Sequence, residues 1–231
     1  QIDPFSSEEV SIMMGPKRNM NRSGSKTREI ISQFHRQEDY RRGAELTPGF
    51  FDFLIPTHYS IESTIAGNLK FSAVAEIEFT SLAPDQRWVY FEIFGQMDVD
   101  SVMWNDQKMP FFKERHNRML WINCSLSLLE LERRTFRIYY HGDLIRRAGY
   151  NQGRKTLFMQ SAIGWYPRHG SRGAATFDLT FHTPSELTLI SVGNPLSSEV
   201  KGEVVTSKWT TPEPIRNAAF NIGYYDMYDI Q

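Results

Sequence analysis

The sequence holds a single cysteine, Cys124, in 231 residues. A lone thiol excludes an internal disulfide and any cysteine-built structural zinc site. Its place in the apolar run Met119–Cys124 predicts a buried, inert side chain. Long hydrophobic runs are missing too. Nothing approaches the roughly 20 apolar residues that a membrane-crossing helix needs, so no transmembrane segment is expected. Neither sign of charge dominates, and the formal net charge is -1. Nucleic-acid and anionic-membrane binders carry a concentrated basic face. Here Arg41-Arg42, Arg133-Arg134 and Arg146-Arg147 are scattered pairs, which read as solvated loop charges. The start at Gln1 rather than Met predicts a processed or truncated beginning, so the lack of a signal peptide leaves the compartment open.

Catalytic motifs are also lacking. The six histidines, His35, His58, His116, His141, His169 and His182, include no pair at the i, i+4 spacing that puts two imidazoles on one helix face. A His-Glu-x-x-His zinc motif is therefore absent. There is no Gly-x-Ser-x-Gly nucleophile elbow and no phosphate-cradling glycine loop before a helix. Gly170-Ser-Arg-Gly173 reads as a plain loop. Asp98 and Asp100 lack the glycine and glutamate of a calcium loop. The sequons Asn21-Arg-Ser23 and Asn123-Cys-Ser125 are chance-level matches, the second in an expected strand. No self-contained active site is expected.

What is abundant is aromatic: 16 Phe, 10 Tyr and 5 Trp. Large aromatics favour strands, and most of these sit in alternating runs. Leu69, Phe71, Ala73, Ala75, Ile77 and Phe79 alternate with mostly polar neighbours, the period of a half-buried strand. Tyr59 to Ile65 predicts a strand pairing with it across Ala66-Gly-Asn68. Trp88 to Phe94 is apolar on both faces apart from Glu92 and reads as a strand covered on both sides. Val99 to Trp104 predicts a strand ending at the Asn105-Asp106 turn. Met119–Cys124 and Phe136–Tyr140 give two more, joined by a helical turn at Leu126–Leu131. Arg146 to Arg154 reads as a loop. Strands at 156–161, 176–183, 186–192 and 218–225 follow, and Val200–Trp209, with Gly202 inside it, reads as a bent strand or hairpin.

Residues 1–45 differ: they are polar and charge-rich, with linker composition from Met13 to Ser25. Thr27 to Arg42 has a helical reading, with Ser25 or Thr27 as cap and Ile30, Ile31 and Phe34 as an apolar stripe; a docked or frayed tail is the alternative. The expected fold is mainly β, an antiparallel sandwich or saddle of about ten strands over residues 46–231 with a short helical or irregular N-terminal extension.

Several segments between Phe94 and Asp226 carry a family resemblance. They are Gln96–Asp106, Phe136–Leu144, Trp165-Tyr-Pro167, Ala175–Pro184, Leu189–Gly193 and Ala219–Asp226. Their order and spacing resemble the N-terminal β-domain of gluzincin zinc aminopeptidases, the aminopeptidase N and leukotriene hydrolase type, closest to divergent bacterial members. The resemblance implies a non-catalytic domain that packs on a catalytic domain of the same polypeptide and lines its substrate cleft. Zinc and the His-Glu-x-x-His motif would belong to that missing domain, with no cofactor in this chain. Many relatives place a Gln or Glu just ahead of an Arg-x-x-Phe-Pro-Cys turn to recognise the substrate's free amine. Leu157–Pro167 is shorter and lacks the Arg and Cys. Gln160 is the only nearby candidate, with Trp165 and Tyr166 as further cleft-lining residues, and an ordinary strand glutamine is the competing reading. The alternative function is a stand-alone β-sandwich binding carbohydrate or a protein partner through Trp88, Trp104, Trp121, Trp165 or Trp209.

Overall fold

A computed structural model describes residues 10–14, 29–34, 54–82, 86–113, 116–151, 156–159, 163–170 and 173–225. The chain divides into two units, Gln1–Phe50 and Phe51–Gln231. In the first, β1 (Val10–Met14) pairs antiparallel with β2 (Glu29–Phe34). The helix expected over 27–42 is therefore not formed at 29–34. Adjacent Ile30 and Ile31 favour extended backbone, and a strand across the chain supplies the ladder that an isolated helical turn would lack. Residues 35–42 lie outside the described residues.

The larger unit is built almost wholly of strands. Its main sheet contains β3 (Leu54–Ile65), β4 (Phe71–Ser81), β6 (Met97–Trp104), β7 (Gln107–Lys108), β10 (Arg133–Gly142), β12 (Thr176–Pro184), β14 (Asn194–Lys201) and β15 (Val204–Thr210). The order is β14-β15-β12-β3-β4-β10-β6-β7. A second sheet is β5-β9-β8, from β5 (Gln86–Glu92), β8 (Phe111–Lys113) and β9 (Met119–Leu128). A third is β11-β16-β13, from β11 (Thr156–Phe158), β13 (Thr188–Ser191) and β16 (Phe220–Gly223).

Period-two alternation holds most firmly where expected. Phe71, Ala73, Ala75, Ile77 and Phe79 are all buried on one face of β4. Residue Ile65 pairs with Phe71 across the anticipated hairpin. Leu69, expected as the first inward residue of that strand, instead sits in the turn at φ 64°, held by Leu69 N–H donating to Ala66 O at 2.8 Å. Asn105 and Asp106, at φ 48° and 60°, make the tight turn between β6 and β7, the left-handed pair that hairpins favour.

Three other expectations change. The sheet is not wholly antiparallel, because β12 runs parallel to β3, with His58 opposite Thr176 and Thr64 opposite His182. Strand β5 is covered on one face only. Val89 and Phe91 point inward and Trp88 outward, since pairing with β9 leaves the second face to water. Leu126–Leu128 remain strand and Leu131 turns at φ 61°. The tight reversal into β10 needs that left-handed residue, and it replaces the expected helical turn. The Arg146–Arg154 loop is entered by one short helix, α1 (Leu144–Arg147). Gly202, at φ 61°, makes the second reading of Val200–Trp209, a hairpin, the right one.

Both small sheets pack on the same face of the main sheet. Phe79 and Phe136 meet Phe91 from β5, with centroids 6.3 and 6.4 Å apart. Phe181 meets Phe220 from β16 at 5.2 Å. One continuous apolar core results, a two-layer sandwich held by aromatic burial. Cys124 lies inside it, and burial pushes its thiol up to about 11. The opposite face of the main sheet is polar and open.

Candidate functional site

The segment Ile163–Gly170 crosses between the small sheets. Its ends are tied to β5: Glu92 N–H donates to Arg168 O at 2.6 Å and Arg168 N–H to Glu92 O at 2.8 Å. Phe94 N–H also donates to Gly164 O at 2.6 Å. The indole of Trp165 donates to Ala218 O at 2.9 Å. The Tyr166 hydroxyl accepts from Ala218 N–H at 3.2 Å and lies 3.4 Å from Asn217 Oδ1. Arg168 Nη1 donates to that same Asn217 oxygen at 3.2 Å. These bonds fix the approach to β16, the strand closest to the end of the described chain.

Trp165 and Tyr166 are 0 % and 1 % exposed. Trp165 packs edge-on against Phe71 and Phe220, and Tyr166 against Tyr59 and Phe177. Burial holds the Tyr166 phenol above its usual range, against the opposing Ala218 N–H bond and the Arg168 charge. These rings anchor the segment from behind and present no face to solvent. Gln160 lies outside the described residues, as do Ser171 and Arg172 of the Gly170–Gly173 loop.

Three strand histidines meet side chains from neighbouring strands, and a fourth, His169, meets the backbone. His58 Nδ1 is 2.8 Å from Thr176 Oγ1, and its Nε2 is 3.6 Å from Asp178. His182 Nε2 is 2.8 Å from Glu62, and its Nδ1 is 3.0 Å from Thr206. His141 is in β10 and lies 3.0 Å from Asp100. His169 is buried. Its Nδ1 donates to Tyr90 O at 2.7 Å while Nε2 accepts from Leu54 N–H at 3.3 Å, so both ring nitrogens serve the backbone. Among the described residues no three His, Cys, Asp or Glu side chains converge to hold a metal ion. A groove of about 610 Å³ at the end of β4 and β10 is lined by Lys70, Gln96, Asp98, His141, Asp143 and Arg147. Its opposed charges face one another: Asp143 lies 3.9 Å from Lys70 and 3.7 Å from Arg147.

One surface escaped sequence reading. On the outer side of β11-β16-β13, Phe158, Asn221 and Ile190 stand in one row. Phe158 is 62 % and Ile190 40 % exposed. Tyr225 lies 6.4 Å from the Phe158 ring. Leu157 and Leu189 alternate with these residues into the core, a period-two signal that was present but too short to give a direction.

No protein-family model matches the sequence, and no curated protein matches it. Solved structures do. An M1 zinc metallopeptidase from Deinococcus radiodurans superposes with a TM-score of 0.64 and 16 % identity, over 74 % of this chain and 42 % of that one. Yeast LTA4 hydrolase superposes with a TM-score of 0.58 and 16 % identity, over 74 % of this chain and 29 % of that one. The chain thus spans less than half the length of either. It has the fold of part of these metallopeptidases, as the sequence resemblance implied. No helix among the described residues is long and apolar enough to cross a membrane.

Proposed function

We propose that this chain is the non-catalytic N-terminal domain of a zinc metallopeptidase-like protein, packing on a catalytic domain of the same polypeptide. Its fold likeness to M1 zinc metallopeptidases over 74 % of its length is the observation that carries this reading. The zinc named in those enzymes does not fit the described residues, whose His, Cys, Asp and Glu side chains form no cluster of three. Its ligands would come from the catalytic domain.

The contact surface follows from contrast between sheet faces. The outer face of the main sheet carries Glu62, Glu76, Arg137, Asp178 and Lys208, whereas the outer face of β11-β16-β13 exposes Phe158 and Ile190. Covering such a face removes apolar area from water at roughly 25 cal/mol per Å². Tyr225, just past β16, lies 6.4 Å from the Phe158 ring at the edge of this face. The segment before Trp165 would contribute to the cleft wall. Gln160 would meet the substrate's amine through its amide oxygen, and Trp165 and Tyr166 would brace the segment from the core.

The test compares hydrogen exchange of this 231-residue chain with that of the native polypeptide, whose intact mass is measured first. A longer polypeptide in which β11 and β13 gain protection is expected. A native polypeptide ending near Gln231, or one in which that face exchanges as freely as in the short chain, overturns the proposal.

A further inference from the structure

The outer face of the second sheet, β5-β9-β8, is a separate aromatic surface. Phe112, Trp121 and Tyr90 stand opposite one another across all three strands. Trp88 stands two residues from Tyr90 on the same face. Phe112 is 58 % and Trp88 37 % exposed; Trp121 and Tyr90 are half-buried. The Tyr90 and Trp121 rings are 5.5 Å apart and inclined at 52°, which gives the row the form of a shallow trough. His169 packs on the other side of Tyr90 at 4.5 Å and, through its two backbone bonds, holds that ring in place. Asn123, two residues from Trp121 on this face, puts a polar group at the rim.

We infer that this trough binds a β-linked polysaccharide. Two observations favour a sugar over a protein. The first is area. With about 150–250 Å² for a whole aromatic side chain, the open parts of these four rings amount to on the order of 300 Å². A stable protein interface covers about 800 Å² on each side. The second is composition. The face is made of rings, which meet the partly positive C–H face of a pyranose through their negative π-surface. The Asn123 amide at the edge suits its hydroxyls. Rings already fixed by packing lose little freedom on binding. The inference is independent of the proposed metallopeptidase role, because it uses a different sheet.

The experiment is sedimentation with insoluble cellulose, xylan and chitin, using the 231-residue chain and measuring the protein left in solution. At least one polysaccharide should deplete the wild type. Phe112→Ala and Trp88→Ala should each weaken that binding about tenfold, and Phe158→Ala, on the other small sheet, should leave it unchanged. All three variants alter exposed rings, and unchanged circular dichroism checks that they fold. Depletion by none of the three polysaccharides overturns the inference. So does equal loss in Phe158→Ala, which would mean adsorption through any exposed ring. A wild-type dimer that Phe112→Ala converts to monomer would assign the face to a protein contact and also overturn it.

Discussion

His182 lies 2.8 Å from Glu62 across the junction of β12 with β3, a pair separated by 120 residues of sequence. Four residues along the same strands, His58 lies 3.6 Å from Asp178 with the roles reversed. These pairs sit on the parallel seam that joins the early strands β3, β4, β6, β7 and β10 to the late strands β12, β14 and β15.

A double-mutant cycle with Glu62→Gln and His182→Gln measures what the first pair contributes. Both groups are partly open to water, so the coupling should be about 0.2–1 kcal/mol and shrink in high salt. Urea unfolding of the four proteins gives the value. A coupling of several kcal/mol would mean that the pair is far less solvated than its exposure indicates.

Trp165→Ala should be among the most damaging single changes. It empties a fully buried site between Phe71, Phe181 and Phe220 and leaves Ala218 O without its indole donor. The expected loss is about 3–5 kcal/mol, read from the urea midpoint. Trp165→Phe should lose less, because it restores packing but not the hydrogen bond. A loss below 1 kcal/mol for the alanine variant would contradict the anchoring role.

Cys124 predicts a pH effect with a definite sign. Burial raises its thiol from 9.0 to about 11, so the folded state keeps the proton over a range where the unfolded state has lost it. The associated stability is full below about pH 9 and is lost as pH rises towards 11, to the extent of roughly 2–3 kcal/mol. Unfolding free energies at pH 8 and pH 10.5, for wild type and Cys124→Ala, should show a steeper alkaline fall in the wild type. Ellman's reagent should react with the native thiol slowly and with the unfolded thiol at once.

Glu132 tests the turn between β9 and β10. Partial burial disfavours its charge, but hydrogen bonds from Arg134 and from Leu129 N–H, with the Arg134 charge, prevail and hold its carboxyl below the usual range. Arg134 is buried, with its guanidinium 4.2 Å from the Trp104 ring centre. Glu132→Gln should cost roughly 1–3 kcal/mol at neutral pH. Because the folded value is the lower one, the wild type should lose this advantage as pH falls through it. Thermal unfolding from pH 7 to pH 3 should bring wild type and variant together.

Gly193→Ala should fail for two reasons at once. Gly193 has φ 88°, and an added Cβ would come within van der Waals overlap of Thr210 O at 2.3 Å. A cost above about 2 kcal/mol is expected from strain and overlap together, visible as a lowered Tm. Gly202→Ala shares a positive φ of 61° but has open space around it, so it should cost less.

The strands of the main sheet were legible wherever one face was apolar and the other polar, as in Phe71–Phe79. The second partner of β3, the parallel strand β12, was not, because period-two patterning records a face and carries no information about a neighbour more than 110 residues away. Trp88–Phe94 misled for a related reason: a water-facing ring and a core ring are the same letter class. Ile30, Ile31 and Phe34 fit a helical stripe and a strand about equally, and only the pairing with Val10–Met14 decides between them. Trp165 and Tyr166, expected at the cleft wall, are buried, and their polar atoms serve backbone and amide groups, a use that sequence does not distinguish from contact with a ligand.

The seam at β3 and β12 also sets an order of events during synthesis. Strands β4, β10 and β6 can assemble on β3 as soon as Gly142 has emerged, but β12 starts only at Thr176. Throughout that interval β3 presents twelve residues of unpaired edge, the kind of edge that recruits other chains. Only the arrival of β12 closes that edge, with His58 to Thr64 of β3 as its partners.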